Sequence, residues 1–339
     1  MNSEVEAKIA AFRGDLEDLY RALNSRLDAL AHATKDLQPR DIAEGVGYRG
    51  DHVNNLYQGF MGGTTPISTK PATVPFSSTL CQQVHFGLDQ YRFWARAMKE
   101  EPKFLRKQWE FVYIAQALYE RGLLCPGSRG LAFGVGREPL PAVFASFGCD
   151  VVATDQSLAG AVQAGWVRSA EHSTDLSALN DRHICTDRMF SELVSFAEVD
   201  MNQIPRSLDD SFDFCWSACA LEHLGSLDHG LKFIRNSLKT LKPGGVAVHT
   251  TEFNLTSNDL TIDEQNLCLF RRKDIEGLIT EISADGFEVE PVDWTIGKGF
   301  AETVVDLPPY GRGEPHLRLR LGNFDCTSIG LIIRRPLQK

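Results

Sequence analysis

Two hydrophobic patterns divide the chain. From about residue 126 to 335, short apolar runs at 129–133, 150–154, 195–199, 212–217, 245–251, 287–294 and 327–334 read as strands. Between them, 139–147, 157–168, 228–241 and 271–285 read as helices. This alternation predicts an α/β fold: a doubly wound, mostly parallel seven-stranded sheet with helices on both faces. The last two strands, joined by a long loop, predict an antiparallel edge strand.

Before residue 126 the pattern predicts an α-helical N-terminal region. Residues 4–37 place Ile9, Phe12, Leu16, Leu19, Leu23, Leu27 and Leu30 three or four apart, a narrow seam close to a heptad repeat. Such a seam suits either a homodimer or packing on the chain's own body. Gln38-Pro39 closes the helix. Residues 44–80 crowd Gly, Pro, Ser and Thr, a composition expected of a lid or binding loop. Residues 81–121 are rich in aromatics, expected to be contacts between helices. Gly122 and Cys125-Pro126-Gly127 mark a boundary. The expected organisation is therefore an accessory region, 1–125, and an α/β domain, 126–339.

Composition narrows the partners. A net charge of −10 counts against a nucleic-acid backbone, which needs a basic face. No apolar run approaches the ~20 residues that span a bilayer, and Met1-Asn2-Ser3-Glu4-Val5-Glu6 lacks a basic-then-apolar signal. No membrane partner and a cytoplasmic location are expected. The eight cysteines include no C-x-x-C pair and fit free thiols in a reducing compartment.

Chemistry concentrates after the boundary. Arg129-Gly130-Leu131-Ala132-Phe133-Gly134-Val135-Gly136-Arg137-Glu138-Pro139 runs from an apolar strand into a G-x-G turn and a helix opened by proline. The next strand ends in Asp155, followed by Gln156, where doubly wound folds place a carboxylate for ribose hydroxyls. Glu138 stands where a dinucleotide fingerprint has its third glycine, and a carboxylate there repels phosphate. A ligand with a ribose and no phosphate fits better. Strand three ends near Asp200-Met201, positioned for an adenine amino group. Ser211-Phe212-Asp213-Phe214-Cys215-Trp216-Ser217 gives strand four, and Leu241-Lys242-Pro243-Gly244-Gly245 announces strand five.

In these ordered motifs, with Leu221-Glu222-His223 after strand four, the chain resembles the class I S-adenosylmethionine-dependent methyltransferases over about 126–335. The resemblance implies a Rossmann-like domain with S-adenosylmethionine as co-substrate. Phe133, Gly134, Val135 and Gly136 would pass beneath the methionine part. Asp155 would hold the ribose, Asp200 and Met201 would frame the adenine, and Ser217 would lie near the sulfonium. The acidic residue that the family often carries before its glycine turn is Ala132 here, so Glu138 or Arg137 would serve the methionine end. Gly134 to Pro141 and His249-Thr250-Thr251-Glu252-Phe253-Asn254 look like a subfamily associated with bacterial glycan-assembly clusters.

Methyl transfer to a hydroxyl or amine needs a near-attack geometry and a proton acceptor. Polar groups fall at strand ends at Glu222-His223, at His249 with Glu252 and Asn254, and between Asp306 and His316. His223 is the first candidate base, with Glu222, His249 and Glu252 beside it; bracing a helix is the competing role for Glu222 and His223. His223, His249, Glu252 and His316 have donor types that suit a divalent cation, but their wide separation argues against it and no metal is expected. His172 is expected to be structural. Arg92, Arg106 and Lys107 are expected at the surface, with contact to an acidic acceptor as the alternative, and Arg318, Arg320, Arg334 and Arg335 are expected to form a solvated face. The expected activity is methylation of a small-molecule or saccharide acceptor, on oxygen first and nitrogen next. Two alternatives stay open: a lyase or cyclase releasing methylthioadenosine, and a non-catalytic cofactor-binding partner subunit.

Overall fold

The computed structural model describes residues 70–71, 76–156, 176–310 and 315–337. Its strands are β1 (Ser78–Leu80), β2 (Arg129–Phe133), β3 (Asp150–Asp155), β4 (Val194–Glu198), β5 (Phe212–Ala218), β6 (Leu241–Asn254), β7 (Asp263–Glu264), β8 (Leu267–Cys268), β9 (Glu288–Val289), β10 (Val292–Asp293), β11 (Val305–Asp306), β12 (Arg318–Leu321) and β13 (Phe324–Arg334). Its α-helices are α1 (Gln83–Phe86), α2 (Asp89–Ala97), α3 (Arg106–Glu120), α4 (Leu140–Ser146), α5 (Asp187–Leu193), α6 (Leu227–Ser237), α7 (Arg272–Ala284) and α8 (Phe300–Thr303). The expected helices at 4–37 and 157–168, most of the 44–80 segment and His172 lie outside the described residues.

The central strands form where continuous apolar runs are buried on both faces, as parallel strands require. They run in the order β13-β6-β5-β2-β3-β4, with β6, β5, β2, β3 and β4 mutually parallel and β13 antiparallel to β6. This is the expected Rossmann-like arrangement with its antiparallel strand. The sheet is larger than the expected seven strands, however, with eleven among the described residues. Pro291 is one cause. The expected strand 287–294 pairs with β13 as far as Glu290, whose N–H donates to the Ile332 carbonyl at 3.0 Å. Proline has no N–H to continue the ladder. The chain leaves β13 there, and β1 pairs with β13 through Thr79 and Leu80 while β10 pairs outside β1.

Strand alternation sorts side chains between two cores. Ala132, Phe214, Trp216, Val246, Val248 and Ile332 share one with α2, α3 and α4. Leu131, Phe133, Cys215, Ala247, Ile329 and Ile333 share the other with α6 and α7. Helix α6 is a clear case of sequence specifying an element. Ser226 caps it by accepting the His229 N–H at 3.2 Å, and Leu227, Gly230, Phe233, Ile234 and Ser237 bury one face.

Helix α3 is buried almost all round. Its polar positions have partners: Gln108 takes the Tyr91 hydroxyl at 2.8 Å, and Gln116 takes the Trp94 indole N–H at 2.8 Å. The aromatics of 81–121 do make inter-helix contacts, but α3 also packs directly on β5, β6 and β13. The expected boundary at 125/126 is therefore a change of sequence pattern and does not divide the core. Contacts separate the chain instead at His52/Val53, and every described residue belongs to the second unit. No helix among the described residues is long and apolar enough to cross a membrane.

The contact between α3 and β13 depends on Gly330, where a Cβ would stand 2.2 Å from Cε1 of Tyr113. Gly330→Ala should therefore cost about 1–3 kcal/mol through overpacking, read as a lower urea midpoint with an unchanged slope.

Candidate active site

The carboxyl ends of β2, β3 and β5 surround a cavity of about 360 Å³, within the range of small-molecule sites. Gly134, Val135, Gly136, Arg137, Glu138 and Asp155 line one side, Ala218, Cys219, Ala220 and His223 a second, and Lys107 and Phe111 of α3 a third.

The turn after β2 is built on glycine for two reasons. Gly134 and Gly136 have φ of +60° and +50°, the left-handed region that glycine enters without strain. A Cβ on Gly134 would also lie 2.8 Å from the Ala220 Cβ and 3.2 Å from the Met201 Sδ. Asp155 locks the turn from β3. One carboxylate oxygen accepts the Gly136 N–H at 2.9 Å and the other accepts the Gln156 N–H at 2.8 Å. These two bonds alone do not exhaust the roughly four acceptor positions of a carboxylate.

Glu138 lies in the cavity wall, and its Oε1 accepts the Trp216 indole N–H at 2.5 Å. Burial outweighs that hydrogen bond and pushes the carboxyl up to about 8. The expected repulsion of phosphate by a carboxylate at this position is therefore weak at neutral pH, where the group is mostly protonated.

Beneath the cavity lies a buried ionic layer. Arg106 reaches Glu252 at 2.6 Å, Ser328 at 3.0 Å, Glu110 at 3.4 Å and the Cys219 sulfur at 3.5 Å. Lys107 donates to the Ala218 carbonyl at 2.7 Å and lies 3.4 Å from Glu110. Burial opposes both cations, but Glu252 for Arg106 and Glu110 for Lys107 lead the charges that hold their pKa values above the usual range. Burial likewise pushes Glu110 upward, and Lys107 and Arg106 reverse it. Arg106 and Lys107 are thus part of the site, against the expected surface role. Of the other expected surface arginines, Arg92 is buried and pairs with Asp89, against that expectation, whereas Arg334 is exposed and the half-buried Arg320 pairs with Asp325; Arg335 pairs with Asp210 and Arg318 donates to the Gly297 carbonyl.

The candidate bases separate clearly. His223 lines the cavity, and its Nδ1 donates to the Asn266 carbonyl at 2.7 Å. A carbonyl only accepts, so Nδ1 carries the hydrogen and Nε2 is the basic nitrogen of the neutral ring. Glu222 is buried behind it and accepts the Thr251 hydroxyl at 3.0 Å. Burial raises its pKa, with His223 lowering it and Glu252 adding to the rise. Glu252 is committed to Arg106 and to the Cys326 thiol at 3.1 Å.

His249 is not a base for this cavity. It points to the α6 face, with Nδ1 on Ser217 Oγ at 2.8 Å and Nε2 on Ser237 Oγ at 3.0 Å. The Ser237 hydroxyl donates to the Ile234 carbonyl, so it accepts from His249 and the Ser217 hydroxyl is the donor at Nδ1. Ser217 is thereby spent in the core and does not face the expected sulfonium position. Burial lowers the His249 pKa to about 3. The unfolded chain, with an ordinary pKa near 6.5, binds a proton that the native state refuses. This contribution to stability is whole above pH 6.5 and shrinks as pH falls toward 3. Between pH 7 and pH 5 it should amount to about 2 kcal/mol. His249→Asn should flatten the fall by that amount in urea titrations at the two pH values.

The expected adenine residues are also divided. Met201 is buried beneath Gly134, whereas Asp200 is exposed in the turn after β4, where it accepts the Asn202 N–H at 2.8 Å and does not line the cavity. The Phe133 ring turns to Phe233 on the α6 side, 5.1 Å between centroids, and leaves only its backbone at the turn. The four residues with metal-type donors do not gather, since His249 is sealed between serines and His316 pairs with Asp306. Cys219, Glu222 and Glu252 do bring donor atoms within 4.8 Å of one another. The Arg106 guanidinium already supplies the cation there, a donor set that does not suit a metal.

The comparisons bear on this geometry. Residues 131–249 match the methyltransferase domain family. The matched segment begins in β2 and ends in β6, so it contains the glycine turn, Asp155 and His223. No curated protein matches the chain. Similar solved structures include the SpnF cyclase, at 20% identity, 67% coverage of this chain, 81% of that chain and a TM-score of 0.41. Others are an S-adenosylmethionine-dependent methyltransferase from Mesorhizobium loti (16%, 65%, 96% and 0.38) and the 1,6-didemethyltoxoflavin N1-methyltransferase from Burkholderia thailandensis (15%, 88%, 91% and 0.40). Likenesses this distant carry no argument about activity.

The matched segment leaves out α3, and sequence reasoning missed what α3 adds. Phe111 and Glu110 went unremarked as site residues, as did Cys219, which adopts a φ of +46°. The i,i+4 spacing of Arg106 with Glu110 and of Lys107 with Phe111 was the available signal.

Proposed function

We propose that this chain transfers a methyl group from S-adenosylmethionine to an oxygen, and next in preference a nitrogen, of a small-molecule or saccharide acceptor. The observation that carries the reading is the glycine turn held to Asp155 at the mouth of a cavity of ligand size. Asp155 takes the ribose hydroxyls, and the turn passes beneath the methionine part. Glu138 takes the methionine ammonium, and His223 accepts the acceptor's proton through Nε2. A resemblance of Gly134–Pro141 and His249–Asn254 to a subfamily associated with bacterial glycan-assembly clusters supports a saccharide hydroxyl.

One consequence is a linked proton. With a pKa of about 8, Glu138 is mostly protonated at pH 7, and an ammonium beside it favours the carboxylate. Binding of S-adenosylmethionine at pH 7 should release most of a proton, seen by calorimetry in buffers of different ionisation enthalpy. Glu138→Gln should abolish the release.

The reaction is tested by the nucleoside product formed from S-adenosylmethionine in the presence of methyl glycosides and simple amines. S-adenosylhomocysteine formed only with acceptor supports methyl transfer. Methylthioadenosine formed without acceptor would replace it with lyase chemistry.

A further inference from the structure

We propose that Asp306, His316 and Tyr310 form the acceptor subsite, where His316 hydrogen-bonds a saccharide hydroxyl and Tyr310 stacks on the sugar ring. The proposal rests on the methyl-transfer reading above and adds where the acceptor is held.

The pair is built as a ligand-facing group. His316 Nδ1 donates to Asp306 Oδ2 at 2.6 Å. Asp306 is only 3% exposed and has no Lys or Arg ion-pair partner among the described residues; the His316 imidazole is the group it meets. A carboxylate only accepts, which places the hydrogen on Nδ1 and makes Nε2 the acceptor of the neutral ring. The His316 side chain remains 19% exposed. This is the arrangement in which a buried acid fixes the tautomer and orientation of a histidine that meets a ligand.

Backbone bonds tie it to the start of α3. The His316 N–H donates to the Phe104 carbonyl at 2.9 Å, and its carbonyl accepts the Arg106 N–H at 3.0 Å. Arg106 in turn touches Cys219, a cavity-lining residue, at 3.5 Å. The pair therefore stands beside the start of α3, where its backbone partner Arg106 precedes the cavity-lining Lys107; none of the subsite's three residues lines the cavity itself. None of its groups is used by the ribose or methionine contacts.

The surroundings select the ligand class. The Tyr310 ring meets the imidazole at 5.7 Å and 71° while staying 39% exposed. Phe300 and Leu307 nearby in sequence are exposed at 39% and 55%, and Phe300 meets Phe104, the residue that bonds His316, edge-on at 5.4 Å. An exposed aromatic face beside an oriented hydrogen-bonding pair suits a ligand with an apolar face and many hydroxyls. A sugar has both.

The test is saturation-transfer NMR on the full chain with S-adenosylhomocysteine bound, using methyl α-mannopyranoside and methyl α-glucopyranoside as probes. Transfer to a glycoside should occur with wild type and fall at least tenfold in His316→Ala and Asp306→Asn, while S-adenosylhomocysteine affinity stays within twofold. Tyr310→Ala, at a half-exposed position, should lose the same transfer and guards against misfolding of the buried-pair variants. Transfer to neither glycoside, or transfer unchanged in Tyr310→Ala and His316→Ala, overturns the subsite with the nucleoside reading intact. Wild type that fails to bind S-adenosylhomocysteine overturns the nucleoside reading itself.

Discussion

Asp155→Asn should lower affinity for S-adenosylmethionine at least a hundredfold while leaving the fold in place. The carboxylate accepts backbone N–H groups on both oxygens, from Gly136 and Gln156. An asparagine keeps one acceptor oxygen and turns an NH₂ donor toward the other N–H, so one side of the lock becomes a donor–donor clash. The charge that would receive the ribose hydroxyls is also lost. Hydrogen bonds to charged groups contribute about 1.5–3 kcal/mol each, and losing two corresponds to roughly two to four orders of magnitude in affinity. Calorimetric titration of the variant, with circular dichroism as the fold control, reads the result. A loss of less than tenfold would remove Asp155 from the ligand.

The second large effect is on stability. Arg106→Met should destabilise the protein by about 3–5 kcal/mol, because it strands buried carboxylates that the guanidinium now answers. Glu252 loses its 2.6 Å partner, and Glu110 keeps Lys107 as its one cationic partner among the described residues, beside hydrogen bonds from Ser328 and Cys219. At the few degrees per kcal/mol typical of domains this size or smaller, the melting temperature should drop by roughly 10 °C. Adding Glu252→Gln should recover part of the loss, since the stranded charge is then removed. A single variant within 1 kcal/mol of wild type would mean that water already screens the layer.

What could be read in advance follows from how local each determinant is. The strand Arg129–Phe133, the glycine turn and the terminal Asp155 are contiguous patterns whose chemistry is carried by a few neighbouring residues, and the structure places them together. The parallel core of the sheet follows from strand–helix alternation. The layer beneath the cavity was not legible, because Arg106 and Glu252 are 146 positions apart and meet only once α3 lies across β6. The error at His249 was different. It shares its strand face with Ala247, which packs toward α6, whereas Val246 and Val248 face α3. Parity within the strand was enough to turn the imidazole away from the cavity, and its polar character argued the other way. Pro291 was also visible as the point where a strand must stop, yet the replacement of its outer part by Ser78–Leu80 depends on a pairing across more than two hundred residues.

The most direct test of the central claim is calorimetric titration of the purified full chain with S-adenosylmethionine and with S-adenosylhomocysteine. One saturable site for each, lost in Asp155→Asn, is the predicted result. Binding of neither nucleoside would contradict the account, leaving the glycine turn and its aspartate as a feature of the fold alone.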